Sequence, residues 1–217
     1  MRPARLAGAC AALVVALVFA RAGATRAAAP ANLNGLASTR TLVTRLGAAG
    51  RGVANVTLTR TDPMGGPPVS TRGRLALEPP DRMRLDFPSS GERIAARRDG
   101  GEWIQPSAHQ MVKLKPEQTE LAAGLWQVFL RGGAGRFTER AAGARHYVLA
   151  ARASEEPLPG EIHLKLDARG LPASLEMDDP SSGHVRYTFS AWRFSRPSGA
   201  AAFRLRAPKG YAVVDLP

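Results

Sequence analysis

The residues able to do chemistry are few, and their spacing does not suit it. The chain has four histidines, His109, His146, His163 and His184, and one cysteine, Cys10. A metal-dependent hydrolase would set two histidines one helical turn apart beside a carboxylate, or pair its cysteines two residues apart. Neither spacing occurs. No G-x-S-x-G turn lifts a serine above a sheet, and no glycine-rich loop follows a strand to cradle phosphate. Asp178 and Asp179 are adjacent carboxylates, but they run into Pro180-Ser181-Ser182-Gly183. Those are turn formers, so a turn is expected there and not an acid–base pair. His163 alternates against Ile162 and Leu164, which puts it on the solvent side of its strand. The expectation is a protein that is not an enzyme and uses no cofactor or metal.

Charge and apolar surface carry more information. Arg82, Arg84 and Asp86 alternate with Met83, Leu85 and Phe87. Period-two alternation gives a strand with one polar and one apolar face. A second strand, ending at Arg98, brings Arg93, Arg97 and Arg98 beside Arg82 and Arg84. These five form a candidate basic docking patch for anionic lipid or an acidic protein surface. The chain has a formal charge of +12. Arg2, Arg5, Arg21 and Arg26 supply four of those charges from residues 1–29, which hold no acid, leaving eight for the rest. No nucleic-acid-binding motif accompanies the charge.

The apolar face of the same strands supplies a candidate lipid-binding cavity: Leu75, Leu77, Met83, Leu85, Phe87 and Trp103. A mid-chain helix expected over Pro116–Leu130 adds Leu125, Trp126 and Phe129 on one stripe. Each methylene buried in such a cavity is worth about 0.8 kcal/mol, so acyl chains would be held without covalent chemistry. Pro116 and Gly132-Gly133 flank this helix and are candidate hinges for a mobile lid.

These residues must be positioned by many short strands. Residues 73–114 read as an antiparallel meander, with turns at Pro79-Pro80 and Asp99-Gly100-Gly101. A first helix is expected over Asn32–Gly47, then a strand over Val53–Thr61. After the mid-chain helix come short strands at Phe137–Glu139, His146–Ala151 and Glu161–Asp167, with further ones at Leu171–Met177 and Val185–Trp192. Turns every eight to twelve residues or so point to a barrel or strongly curved sheet, with two helices over a face or mouth. The fold class is mainly β with an α-helical lid (α+β).

Residues 1–29 read as a secretory signal peptide: Arg2 and Arg5, then the apolar run Leu6–Ala20, then small residues with cleavage near 24–29. Cys10 falls inside that run, so disulfide chemistry is not expected. Residues 30–217 then form a single exported domain.

The meander also resembles a known family. "G-x-L-x-L-x-x-P-x-x-x-R-x-D" matches at Gly73, Leu75, Leu77, Pro80, Arg84 and Asp86. Further matches to the same family follow at Ile94, Asp99, Gly100, Trp103, Pro106, Gln110 and Val112. Phe203, Pro208 and Gly210 match its closing segment. The chain is similar in these motifs to the LolA-like periplasmic lipoprotein carriers, over nearly all of residues 30–217, as a divergent member. The resemblance implies an incomplete antiparallel barrel wrapped around helices. It implies a monomeric periplasmic carrier that takes lipoprotein acyl chains, or a related lipid, from the inner to the outer membrane. Its partners would be an inner-membrane releasing complex and an outer-membrane receptor. Alternatives are an envelope sensor on the same fold, or a carrier of a lipid other than lipoprotein. One position departs: the family's lid-latching arginine precedes the strand-end proline, and here Pro79 stands there.

Overall fold

The computed structural model describes residues 35–62, 64, 66–122, 124–133, 135–152, 160–179 and 183–215. The expected signal peptide, with Cys10, and the segment Pro180–Ser182 lie outside them. The strands in chain order are β1 (Arg51–Thr61), β2 (Val69–Glu78), β3 (Arg82–Phe87), β4 (Glu92–Arg97), β5 (Gly100–Gln105) and β6 (Gln110–Leu114). They continue as β7 (Phe137–Gly143), β8 (His146–Ala151), β9 (Glu161–Leu166), β10 (Pro172–Asp179), β11 (Gly183–Ser195) and β12 (Ala212–Asp215). All belong to one sheet of order β12-β6-β5-β4-β3-β2-β1-β11-β10-β9-β8-β7. Every neighbouring pair is antiparallel except β12 and β6, which run parallel. The sheet does not close, because β12 and β7 are its two free edges.

Among the described residues three α-helices accompany it: α1 (Arg40–Ala49), α2 (Pro116–Ala122) and α3 (Gly124–Arg131). Leu42 and Leu46 of α1 and Leu125, Trp126, Val128 and Phe129 of α3 share one apolar cluster with strands from both halves of the sheet. Leu75 and Leu85 come from one half, Leu149, Ile162 and Leu175 from the other. A flat sheet could not bring β3 and β8 to one short helix. The sheet therefore curls around α1 and α3, as right-handed strand twist favours, and the fold is an open, curved sheet wrapped around helices.

The alternation expected in β3 is present: Met83, Leu85 and Phe87 are buried, while Arg82, Arg84 and Asp86 are half-exposed. Gly73 has a packing reason. The Phe87 ring and the Asp86 carbonyl lie where its Cβ would go, so a side chain there would displace the neighbouring strand.

The structure changes two element expectations. The first helix starts at Arg40 and not at Asn32; Asn32–Asn34 lie outside the described residues. Residues 37–39 form a turn instead, held by long-range partners described below. The mid-chain helix is two helices, the second beginning at Gly124, the poorest helix former after proline. The C-terminal tail, matched in sequence only as a closing segment, takes its own course. It crosses the outside of the sheet and then adds β12 in parallel beside β6.

Candidate functional site

The concave face is apolar along a single row of register partners. Ala54 lies opposite Leu75, Leu75 opposite Leu85, Leu85 opposite Ile94, Ile94 opposite Trp103 and Trp103 opposite Val112. Side chains of cross-strand partners share a face, so this row crosses six strands on the helix side. Of the candidate cavity residues, Leu75, Leu77, Met83, Leu85, Phe87, Leu125, Trp126 and Phe129 belong to the main cluster. Trp103 does not. It packs with Val112 and Leu114 in a separate cluster. Ile94 is half-buried and touches both. The apolar row is thus continuous, with a partly open seam at Ile94 between its two buried parts.

An aromatic group covers the main cluster. Trp126 meets Tyr187 edge-on with ring centroids 5.1 Å apart, and Phe129 meets Phe189 at 5.7 Å. Phe189 also contacts Trp192. These edge-to-face contacts fix ring positions beyond simple burial. Trp126 is 5% exposed and Phe129 fully buried, so in this state both sit as packed core. The Trp103 indole N–H donates to Glu92 Oε1 at 3.0 Å. Glu92 stands opposite Phe87 and so shares the concave face, a carboxylate that sequence reading did not single out.

Gly132-Gly133 is not a loose hinge. The Leu36 amide donates to the Gly132 carbonyl at 2.9 Å, and the Thr39 hydroxyl approaches the same carbonyl at 3.3 Å. Both glycines hold positive φ, 79° and 65°. They end α3 in the left-handed conformation common at helix C-termini and fasten it to the entry of α1. That entry is held from β7 as well. Glu139 accepts from the Ala37 and Ser38 amides, each at 3.0 Å, and from the Ser38 hydroxyl. These bonds satisfy donors of the turn that leads into α1.

The five candidate patch arginines do not form one exposed surface. Arg97 is only 7% exposed. It makes a double hydrogen bond to Glu102, at 2.7 Å on each arm, bonds Asp99 at 3.0 Å and donates to the Phe203 carbonyl at 2.6 Å. Hydrogen bonding to Glu102, aided by Asp99, raises the Arg97 pKa above its ordinary value despite burial. Arg84 pairs with Asp86 and donates to the Ala202 carbonyl at 2.8 Å. Arg82 pairs with buried Glu78 at 2.5 Å. Arg93 and Arg98 are exposed.

Residues 200–211 explain the difference. This strap lies over the outer face of β3–β6, with Phe203 fully buried and Leu205 packed on Ala95, Ile104 and Met111. Arg84 and Arg97 form the bed of the strap, their charges neutralised in place, while Arg93 and Arg98 stay outside it. No sequence motif marked Glu102 as the partner of Arg97, because the strap that buries both arrives about a hundred residues later.

Glu78 belongs to the same bed. Burial pushes its carboxyl up, but hydrogen bonds from the Ser198 amide and hydroxyl and from Arg82 outweigh this and hold its pKa below the usual glutamate value.

At the Pro79-Pro80 corner an arginine arrives from another element. Arg131, at the end of α3, donates from Nε to the Pro80 carbonyl at 3.2 Å. Beside it opens a cleft of about 460 Å³, lined by Asp81, Arg97, Arg98, Pro116, Glu117, Thr119, Gln127, Leu130 and Arg131. The histidines are scattered: His146 and His163 sit 3.3 Å apart on neighbouring strands, and His184 pairs with Asp178 at 2.9 Å. Among the described residues no group of three or more metal-ligating side chains is found. No helix there is long and apolar enough to cross a membrane.

No protein-family model matches the chain, and no curated protein does. Solved structures do. One is an uncharacterized conserved protein from Thermus thermophilus, with 15% identity and TM-score 0.49, covering 82% of this chain and 99% of that one. Another is the lipoprotein LppX from Mycobacterium tuberculosis, with 13% identity and TM-score 0.37, covering 75% and 96%. The chain is also similar to a LolA superfamily protein from Nitrosomonas europaea, with 11% identity and TM-score 0.43, over 77% of this chain and 97% of that one.

Proposed function

We propose that the protein is a periplasmic carrier that holds acyl chains of a lipoprotein, or of a related lipid, against its concave face and shuttles them between membranes. The observation that carries this reading is the apolar row from Ala54 to Val112, buried at both ends and partly open at Ile94. A chain laid along that seam would cover Ile94 and join the two clusters, gaining about 25 cal/mol for each Å² of apolar surface removed from water. The motif resemblance from Gly73 to Val112 supports the same reading. The export signal expected in residues 1–29 would put the protein in the periplasm. An inner-membrane releasing complex and an outer-membrane receptor would load and unload it, with the protein acting as a monomer and without catalysis.

The helices would yield from the α2 side. The far end of α3 is fastened to α1 through Gly132, whereas α2 is a separate short helix beside β4–β6. Titration of a fluorescent fatty-acyl probe into delipidated protein tests the proposal. Saturable binding is expected, weakened by Ile94→Asn with the fold retained. No saturable binding overturns it.

A further inference from the structure

The cleft beside α2 and α3 holds a combination of groups that the acyl site does not need. Arg98 and Arg131 contribute two guanidinium groups, Asp81 and Glu117 two carboxylates. None of the four makes an ion pair with any described residue. Arg97 also lines the cleft, but four of its five donors are spent on Glu102, Asp99 and Phe203, and its charge is paired with Glu102. Arg131 spends only Nε, on Pro80. Setting Arg97 aside, the cleft offers two positive and two negative groups free to meet a ligand.

Thr119 lines the cleft as well, but its buried hydroxyl lies against Gly101 of β5 and is not offered to a ligand. Leu130, on the same lining, belongs to the main apolar cluster. The cleft therefore joins polar walls to the edge of the apolar core.

We propose that this cleft is a headgroup site for a zwitterionic phosphodiester of the phosphoethanolamine type. The phosphate would sit on Arg98 and Arg131, and the ammonium would face Asp81 and Glu117. Guanidinium groups suit phosphate through charge-assisted, forked hydrogen bonds. Equal numbers of free acids and bases favour a ligand carrying both charges over a simple anion. The lipid tail would leave past Leu130 toward the apolar face. The assignment of a lipid rests on the acyl-binding reading; the headgroup chemistry rests on the cleft alone.

The test uses the delipidated full chain and four probes: glycerophosphoethanolamine, inorganic phosphate, dihexanoyl phosphatidylethanolamine and a fatty acid. Glycerophosphoethanolamine is expected to shift the amide resonances of Thr119 and Gln127 saturably, and inorganic phosphate to bind at least about tenfold more weakly. Arg98→Gln combined with Arg131→Gln should lower affinity for both phosphoethanolamine probes about tenfold or more, with fatty-acid affinity within about twofold of wild type. Fatty-acid binding without headgroup binding would overturn the proposal and leave the carrier reading standing. Headgroup binding without acyl binding would do the reverse. Inorganic phosphate binding as tightly as the phosphoethanolamine probes would make this a phosphate site and overturn the lipid assignment.

Discussion

Gly35 and Gly132 touch backbone to backbone. A Cβ built on Gly35 would stand 3.2 Å from the Gly132 Cα, and one on Gly132 would stand 2.9 Å from the Gly35 Cα. The contact lets Leu36 and Thr39 reach the Gly132 carbonyl and ties the end of α3 to the start of α1. Any lid movement must pivot about this point or leave it intact.

Gly132→Ala should be costly, because it adds a Cβ both to a left-handed backbone and to a backbone contact. A loss of about 1–3 kcal/mol is expected, read by urea denaturation. Gly133→Ala has a positive φ and a milder approach, 3.2 Å from Leu36 Cδ1, and should cost less. Equal, small effects at both positions would show that the Gly35 contact is not tight in solution.

Glu139→Ala removes the acceptor for two amides and the Ser38 hydroxyl at the entry of α1. Leaving part-buried donors without their carboxylate costs about 1–3 kcal/mol. The loss should appear in global denaturation and as faster amide exchange at Ala37 and Ser38. Unchanged exchange there would mean that water replaces the carboxylate freely.

Glu102→Gln should release the strap. Arg97 would stay buried with only Asp99 as a charged partner, and breaking a buried pair on one side costs about 3–5 kcal/mol, here at the low end because Asp99 remains. Limited proteolysis should then cut within residues 198–211 well before the rest of the chain. A strap that stays resistant would show that Phe203 and Leu205 hold it unaided.

Acid should weaken the same bed. The folded pKa of Glu78 lies below its ordinary value, as do those of Asp99, Asp167 and Glu176. A depressed carboxylate stabilises the fold at pH above its unfolded pKa, about 4.3 for glutamate. That stability is lost as pH falls through the lower folded value. Denaturation midpoints should therefore fall below about pH 4–5, and Glu78→Gln should flatten part of the slope. A wild-type midpoint that is level from pH 6 to pH 3 would contradict this.

Trp126→Asp should unfold the protein or destabilise it by roughly 3 kcal/mol or more, because a charge would replace a ring packed on Phe129, Tyr187 and Phe189. Near-ultraviolet circular dichroism and a thermal scan would read it. A well-folded variant with weakened acyl binding would instead show that Trp126 lines an open cavity in solution.

Period and punctuation by themselves determined most of the sheet. The alternation at 82–87 and the turns at Pro79-Pro80 and Asp99-Gly100 are local, and β3, β4 and β5 follow from them because side-chain direction in a strand has period two. The same period gave the concave residues from Leu75 to Trp103, and the helical period of about 3.6 gave the stripe of α3. The tertiary structure alone decided which of them share a cluster, since that depends on how far the sheet curls past Ile94. It alone turned Arg84 and Arg97 from a surface patch into a strap bed, through contacts with Ala202 and Phe203 more than a hundred residues away. It also fastened α3 to α1 and gathered Asp81, Arg98, Thr119 and Arg131 at one cleft. Each of these is a meeting of segments distant in sequence, and no local pattern encodes the partner: the pairing is fixed only when chain closure and burial select one arrangement of the whole sheet.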